Sequence, residues 1–564
     1  MIAMARNLLK ALLVGCTLAA MAIPAQAREA RAAKGAPSKE HSAREKSRTA
    51  GTARTTVTPY IEVSQVVFAE LSPGSELLTY TNLAAGVDAE IAGRNNQGAV
   101  SLRYERRIGW GKNGTDGDVI SGLARVASQI VPGTLRIDAG ALAARTRIDA
   151  SGSSTLNPLV STRDSSSQIY SFYAGPTLTT HAGVVALSAS YRAGYTRVEA
   201  PNGFRLAPRV QAVDIVDDTV SQAATLSAGV HPGEVLPVGI TASAGWARED
   251  LSNLDQRIDQ KSARLDFVLP ISLDVALLAG VGYEKVQISS RDVLRDANGI
   301  PVIGTNGRLR TDTSAPRQLA YNVDGLIYDA GVMWRPSRRT ALEAHVGKRY
   351  DSTSVYGSFA YAPNARSSLN VSVYDNVSGF GGTVRRALED LSTDFETSRN
   401  PLTGDLNGCV ITRANGSCLN SALSSVAAAT FRARGISASY NLTLGRINAG
   451  VGAGYDRRKF IAAPGTVLAL ANGVIDENIF IAGYLGARLD ERSSISANIY
   501  ANRFQSGLTT TGDATALGAN ASYFRHLTDR LSATAAVGID AIEREDPFID
   551  QVGASALVGL RFSL

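Results

Sequence analysis

From Thr58 onward, the chain alternates apolar and polar residues in segments of 10–16 residues separated by turn residues. A period of two sends successive side chains to opposite faces of a strand, so each segment reads as a strand with one apolar and one polar face. The last segment is the clearest. Val552, Ala554, Ala556, Val558, Leu560, Phe562 and Leu564 fall on one face, and Ser555, Gly559, Arg561 and Ser563 on the other. The segments predict about 22 strands: 58–70, 80–93, 98–110, 118–130, 134–149, 167–180, 184–200, 219–230, 237–249, 259–270 and 273–290, then 318–335, 339–350, 353–362, 365–376, 426–445, 447–462, 476–489, 493–508, 513–526, 531–545 and 553–564. The admissible range is 18–24.

The connections sharpen this reading. After every second strand the turn is tight: Arg94-Asn95-Asn96-Gln97, Val131-Pro132-Gly133, His181-Ala182-Gly183, Pro336-Ser337-Arg338, Pro363-Asn364 and Leu527-Thr528-Asp529-Arg530. The long connections (150–166, 201–218, 291–317, 377–425 and 463–475) all fall at the opposite end. This asymmetry predicts an all-β fold, a transmembrane up-and-down antiparallel β-barrel over residues 58–564 with short periplasmic turns and long extracellular loops. Hydrocarbon leaves unpaired backbone groups unsatisfied, so such a sheet must close and leave no edge. Leu560, Phe562 and Leu564 would carry the signal read by the barrel-assembly machinery. Trp110, Trp246, Trp334, Tyr191, Tyr195, Tyr350 and Tyr361 lie near strand ends and suit interfacial girdles.

The N-terminus reads as export. Arg6 and Lys10 precede an apolar run, Ala11 to Ile23, and Pro24-Ala25-Gln26-Ala27 ends in an A-x-A site, which predicts cleavage after Ala27 and delivery to a Gram-negative outer membrane. Leu13-Val14-Gly15-Cys16 also has the form of a lipidation box, leaving lipidation at Cys16 as an alternative. Residues 28–57 are basic and aperiodic, a disordered periplasmic tail.

Charge then changes the picture. The formal charge is +6, but the leader carries +2 and residues 28–57 carry +5, which leaves −1 for the remainder. A nearly neutral folded part argues against nucleic-acid binding. Arg103, Glu105, Arg107, Arg136, Asp138, Arg192, Arg264, Asp266, Glu343, His345, Arg349 and Arg561 fall on the polar phase. Each charge would cost about 2–4 kcal/mol on the lipid face near the midplane, so they are expected to line the lumen. Mixed charges there would suit an anionic or hydroxyl-rich polymer, or simply pair with one another across water.

Candidate chemistry is sparse. His345 and Glu343 share a strand face and read as a structural pair rather than a base awaiting a nucleophile. Gly379-Phe380-Gly381-Gly382 lacks the strand-to-helix setting of a phosphate loop. No metal cluster, cofactor motif or enzyme signature is evident. Cys409 and Cys418 lie in one polar loop of an exported chain and read as a disulfide. That loop, 377–425, also holds Glu389, Asp390, Asp394, Glu396 and Asp405. It could fold into the lumen as a constriction or cap the barrel outside, and the expectation leans to the cap.

The run from Trp334 to Tyr374, WRPSRRTALEAHVGKRYDSTSVYGSFAYAPNARSSLNVSVY, resembles the outer-membrane barrel family associated with exosortase (PEP-CTERM) and exopolysaccharide gene clusters. Trp334, Arg335, Pro336, Arg339, Leu342, Glu343, Gly347, Arg349 and Tyr350 carry the resemblance, and PYIEVSQVVFAEL is similar to that family's first strand. The resemblance implies an integral outer-membrane component of exopolysaccharide export or surface attachment, with polysaccharide and periplasmic export components as partners and no catalytic residues. The rivals are a general porin and a non-conducting structural or adhesive barrel acting through its outer loops. A TonB-dependent transporter shares the strand number, but only residues 28–57 precede the first strand, too few for a folded plug. Oligomeric state stays open.

Overall fold

A computed structural model describes residues 54–111, 116–146, 167–199, 218–305, 308–393, 395–412, 417–418, 430–507, 512–545 and 550–564. The first part of the barrel comprises β1 (Arg54–Ser72), β2 (Leu77–Ala92), β3 (Asn96–Trp110), β4 (Gly117–Val131), β5 (Leu135–Thr146), β6 (Ser167–Ala182), β7 (Val185–Glu199) and β8 (Asp218–Val230). It continues with β9 (Gly239–Leu251), β10 (Gln256–Pro270), β11 (Val275–Ser290), β12 (Gln318–Ser337), β13 (Thr340–Arg349), β14 (Ser352–Asn364) and β15 (Ser367–Ser378). A helix, α1 (Phe380–Glu389), and three short strands, β16 (Phe395–Arg399), β17 (Leu406–Thr412) and β18 (Ser417–Cys418), then interrupt the series. It resumes with β19 (Thr430–Leu444), β20 (Ile447–Ile461), β21 (Ile475–Arg488), β22 (Ser493–Gln505), β23 (Ala514–His526), β24 (Leu531–Arg544) and β25 (Gln551–Ser563).

Twenty-two of these strands form one antiparallel sheet in which each pairs with its neighbour in the series. The sheet closes where Tyr60–Ser72 of β1 pair with Val552–Ser563 of β25. Closure leaves the sheet without an edge strand, as hydrocarbon requires. The two-residue period explains which face goes where. On β1, Ile61, Val63 and Val67 are exposed outward, while Tyr60, Ser64, Val66 and Phe68 are buried on the inner side. On β25, Val558, Leu560, Phe562 and Leu564 are likewise exposed, and Leu557 is buried. An apolar outer face on a closed barrel is what lipid demands. The chain is a membrane-spanning β-barrel of the outer-membrane type.

Strand β1 begins at Arg54, four residues before the expected start. The tight turns named above and the chain's C-terminus share one end with the start of β1, while β11 and β12, β15 and β19, and β20 and β21 are joined by the long connections at the other end, where the two-residue β13–β14 turn also lies. The predicted loop 150–166 and all but the last residue of the predicted loop 201–218 lie outside the described residues, as do the leader and residues 28–53. Trp110, Trp334, Tyr191, Tyr195 and Tyr361 are exposed. Tyr350 departs from the girdle expectation. It sits at φ 53° in the two-residue β13–β14 turn and is buried, because Glu284 accepts its N–H and its ring packs beneath Arg349 and Arg432.

The largest departure concerns the connection 379–429. The outer cap favoured from sequence is not what its described residues form: α1 lies inside the barrel. Phe380, Val384, Leu388 and Leu391 pack on Leu123, Leu142, Ile169, Tyr173 and Val198, all from the inward faces of β4–β7. The reason is in the spacing. Positions 380, 384, 388 and 391 recur at helical period, giving this one segment an apolar stripe that water would not tolerate and the inner wall can cover.

Candidate functional site

The in-turned segment is held at three places. At its start, Glu249 on β9 points inward and accepts the backbone N–H groups of Gly379 (3.0 Å) and Gly382 (2.7 Å). A carboxylate there satisfies two of the free amides at a helix N-terminus and meets the positive end of its dipole. The glycines permit this approach, since a Cβ on Gly379 or Gly382 would stand 2.6 or 2.5 Å from the Glu249 carboxylate, and one on Gly381 would stand 2.6 Å from Thr219. The Gly-rich run therefore does lie between a strand and a helix, contrary to expectation, and the anion it cradles is the protein's own.

At the other end of α1, Arg125 on β4 donates to the carbonyls of Glu389 (3.2 Å) and Leu391 (3.3 Å) and pairs with Asp138 (3.3 Å). A cation at the C-terminal carbonyls complements the opposite pole of the helix. The wall thus supplies an acid to one end of α1 and a base to the other.

The third anchor is the tip between β16 and β17. Tyr80 donates to Leu402 O (3.4 Å), Arg107 to Thr403 O (2.6 Å) and Ser121 to Gly404 O (3.0 Å). Arg145 forks onto Asp405 at 3.1 and 3.2 Å, and Arg399 reaches back to Ser101 and Ser121. Leu402 is 2% exposed among Val66, Phe68, Leu78, Ala536 and Leu557. Gly404 has φ +71° and lies against Glu105, so no side chain fits there. The segment thus spans from the β4–β7 wall to the β1–β2 and β23–β25 wall.

Each predicted lumen residue lies on an inward strand face, and most are committed to partners. Arg103 bridges Glu62 (2.8 Å) and Glu105 (3.1 Å), and Glu105 also takes Arg107 (2.9 Å), all beneath the segment tip. Asp138 receives Arg136 at 2.7 Å and Arg192 at 3.2 Å besides Arg125. Arg264 joins Asp266 and Asp329, both at 2.5 Å. Arg561 pairs with Asp88 (2.8 Å) and lies 3.5 Å from the centre of the Tyr60 ring. His345 stands between Asp329 (2.9 Å) and Glu343 (3.2 Å), and Arg349 contacts Glu284 at 3.2 Å. Buried pairs of this kind cost much desolvation and are strongly destabilising to break from one side, so they fix geometry more than they add stability.

Sequence reasoning passed over the anchors Glu249, Arg125, Arg145 and Tyr80, because nothing in one strand reveals what faces it across a lumen. Among the loop residues it did flag, Asp405 is the one seen to pair with the wall, and Asp394 and the Glu396 side chain lie outside the described residues. Strands β17 and β18 pair with Cys409 directly opposite Cys418 in the backbone register.

No known family model matches the chain, and no curated protein matches it in sequence. Solved structures similar to it include the FrpB iron transporter from Neisseria meningitidis, at 10% identity and TM-score 0.43, covering 90% of this chain and 81% of that one. The siderophore receptor PirA from Acinetobacter baumannii shares 10% identity at TM-score 0.41, over 91% and 81% of the two chains. The copper transporter OprC shares 11% identity at TM-score 0.39, over 91% and 81%. Likeness this distant carries no argument, and the fold and function of this chain are read from its own residues.

Proposed function

We propose that the chain is the outer-membrane conduit of an exopolysaccharide export or surface-attachment system, and that the in-turned part of the β15–β19 connection, α1 with β16 and β17, is its gate. Twenty-two strands about 4.8 Å apart, tilted by about 40°, enclose a cylinder roughly 44 Å across between backbones. A lumen of that width admits a hydrated polymer unless something crosses it. The observation that carries the proposal is that the crossing segment is docked on the inner wall by its own discrete contacts, the apolar stripe of α1, the buried Leu402 and the polar anchors Glu249, Arg125, Arg107, Arg145 and Ser121. These contacts are separate from the hydrogen-bond ladder of the sheet, so the segment can undock without opening the wall, which suits a gate better than a permanent stopper. The resemblance around Trp334–Tyr374 supplies the polymer class. Export through a leader cleaved after Ala27 and assembly through Leu560, Phe562 and Leu564 belong to the same reading.

The test is planar-bilayer conductance of the refolded chain with and without the host's own exopolysaccharide. A low, fluctuating conductance that the polymer modulates is expected. A large steady conductance indifferent to polymer would indicate a general porin. A silent bilayer that stays silent in every loop variant would indicate an adhesive barrel.

A further inference from the structure

The ladder between β14 and β15 is incomplete. It runs from Asn364↔Ser367 to Gly357↔Val373 and stops, while Ser352–Tyr356 stay paired with β13 and Tyr374–Ser378 with β19. The gap has a cause. Val377 and Ile461 fall on the outward phase of β15 and β20, yet they are buried with Ile258, Val286 and Ile288 from the inward faces of β10 and β11, around Tyr350. The upper ends of β15 and β20 therefore lean inward, and β14 does not follow. Arginine side chains bridge the divergence: Arg432 donates to Ser352 Oγ (2.6 Å) and Arg434 to Thr353 O (2.9 Å), and both hold Asp375.

Where the strands part there is a cleft of about 300 Å³, lined by Glu343, His345, Arg349, Tyr356, Tyr374 and Asn376 among others. Its walls are prepared in advance. The chain Arg264–Asp329–His345 ends on Glu343 Oε1, fixing that carboxylate and leaving Oε2 without a hydrogen-bond partner among the described residues. His345 also lies flat on Tyr356, with ring centres 4.7 Å apart and planes 7° apart. Arg349 uses Nε on Glu284, lies over the Tyr350 ring, and has no hydrogen-bond partner at its terminal nitrogens among the described residues. The cleft therefore offers a free acceptor from Glu343, free donors from Arg349, and two phenol rings. The Asp375 charge is matched by Arg432 and Arg434, so no excess of one sign draws a simple ion.

We infer that this cleft is a saccharide subsite on the conduit wall, taking one pyranose ring of a hydroxyl-rich polymer. A sugar hydroxyl donates and accepts at once, so a ring carrying several is satisfied by a fixed carboxylate and a guanidinium side by side, with its C–H face on a tyrosine. The volume lies at the small end of ligand pockets, which suits a single ring. This inference rests on the polysaccharide reading of function and names where the polymer is gripped.

Saturation-transfer NMR on the refolded full chain tests it, with methyl glycosides of glucose, galactose, mannose, N-acetylglucosamine and glucuronic acid as probes. Transfer to at least one glycoside is expected, weakened at least tenfold in Glu343→Gln and in Tyr356→Leu. Heat-modifiable migration on gels would establish that each variant is folded. Absence of transfer to every probe by the folded chain, or unchanged binding in both variants, would overturn the subsite. Binding by a barrel that never conducts supports the subsite and removes the conduit. Conductance without binding does the reverse.

Discussion

Replacing Glu249 with alanine removes the carboxylate that holds the first amides of α1, and its effect can be worked from the contacts. Two backbone N–H groups lose a charged acceptor at 3.0 and 2.7 Å. A hydrogen bond to a charged group contributes about 1.5–3 kcal/mol, and loss of a helix cap costs about 0.5–2 kcal/mol. Water can replace part of the loss inside a lumen, so a net cost of about 2–4 kcal/mol for seating the helix is reasonable. At about 1.4 kcal/mol per factor of ten, the unseated population rises roughly 30- to 800-fold. Hydrogen–deuterium exchange with peptide-level mass spectrometry reads this directly, because amides in a locally opening unit exchange in proportion to its open population. Peptides covering 380–391 should exchange faster by that factor, while those of β10 and β11 should not change. Glu249→Gln keeps one carbonyl acceptor and should fall between. Unchanged exchange in 380–391 would refute the anchoring, and equal acceleration across the barrel strands would show that Glu249 supports the wall instead.

Leu402→Ala should loosen the segment tip by about 2–5 kcal/mol, the usual range for a buried leucine, and trypsin should then cut after Arg399 faster than in the parent; an unchanged cleavage rate would contradict the buried docking of the tip. Val558 is 68% exposed on the outer face, so Val558→Arg should cost about 2–4 kcal/mol if it sits near the bilayer midplane, measurable as a lowered denaturant midpoint in lipid vesicles, whereas Val558→Leu should be close to neutral. Cys409 and Cys418 are opposite in the backbone register of β17 and β18, and thiol titration of the unfolded, unreduced mature chain should find neither free; two free thiols would exclude the bridge.

The barrel was legible because its strands obey a local rule. The alternation in residues 552–564 follows from lipid on one side and a polar interior on the other, and it needs no knowledge of the partner strand. Tight turns such as Val131-Pro132-Gly133 mark register for the same local reason, with Gly133 at φ 74°. The in-turned segment was harder to see. Its helical spacing at 380, 384, 388 and 391 was present as a signal, but a period of 3.6 buried in a chain of period two is easily read as loop. Its direction could not be read at all. That Arg125 meets the C-terminal carbonyls of α1 depends on residues more than 260 positions apart in the sequence. The cleft falls between these cases. Glu343 and His345 were visible as a same-face pair, whereas Asp329 and Tyr356, which fix them, come from the neighbouring strands.

Ser378 at the end of β15 pairs directly with Phe431 at the start of β19, so residues 380–429 can be replaced by a short glycine-rich turn without disturbing the wall. Single-channel conductance of that deletion beside the full chain tests the account most directly. A gate predicts a barrel that folds as before and conducts several-fold more, with long steady openings in place of brief ones. Equal conductance in the two proteins would show that segment 379–429 does not control the lumen.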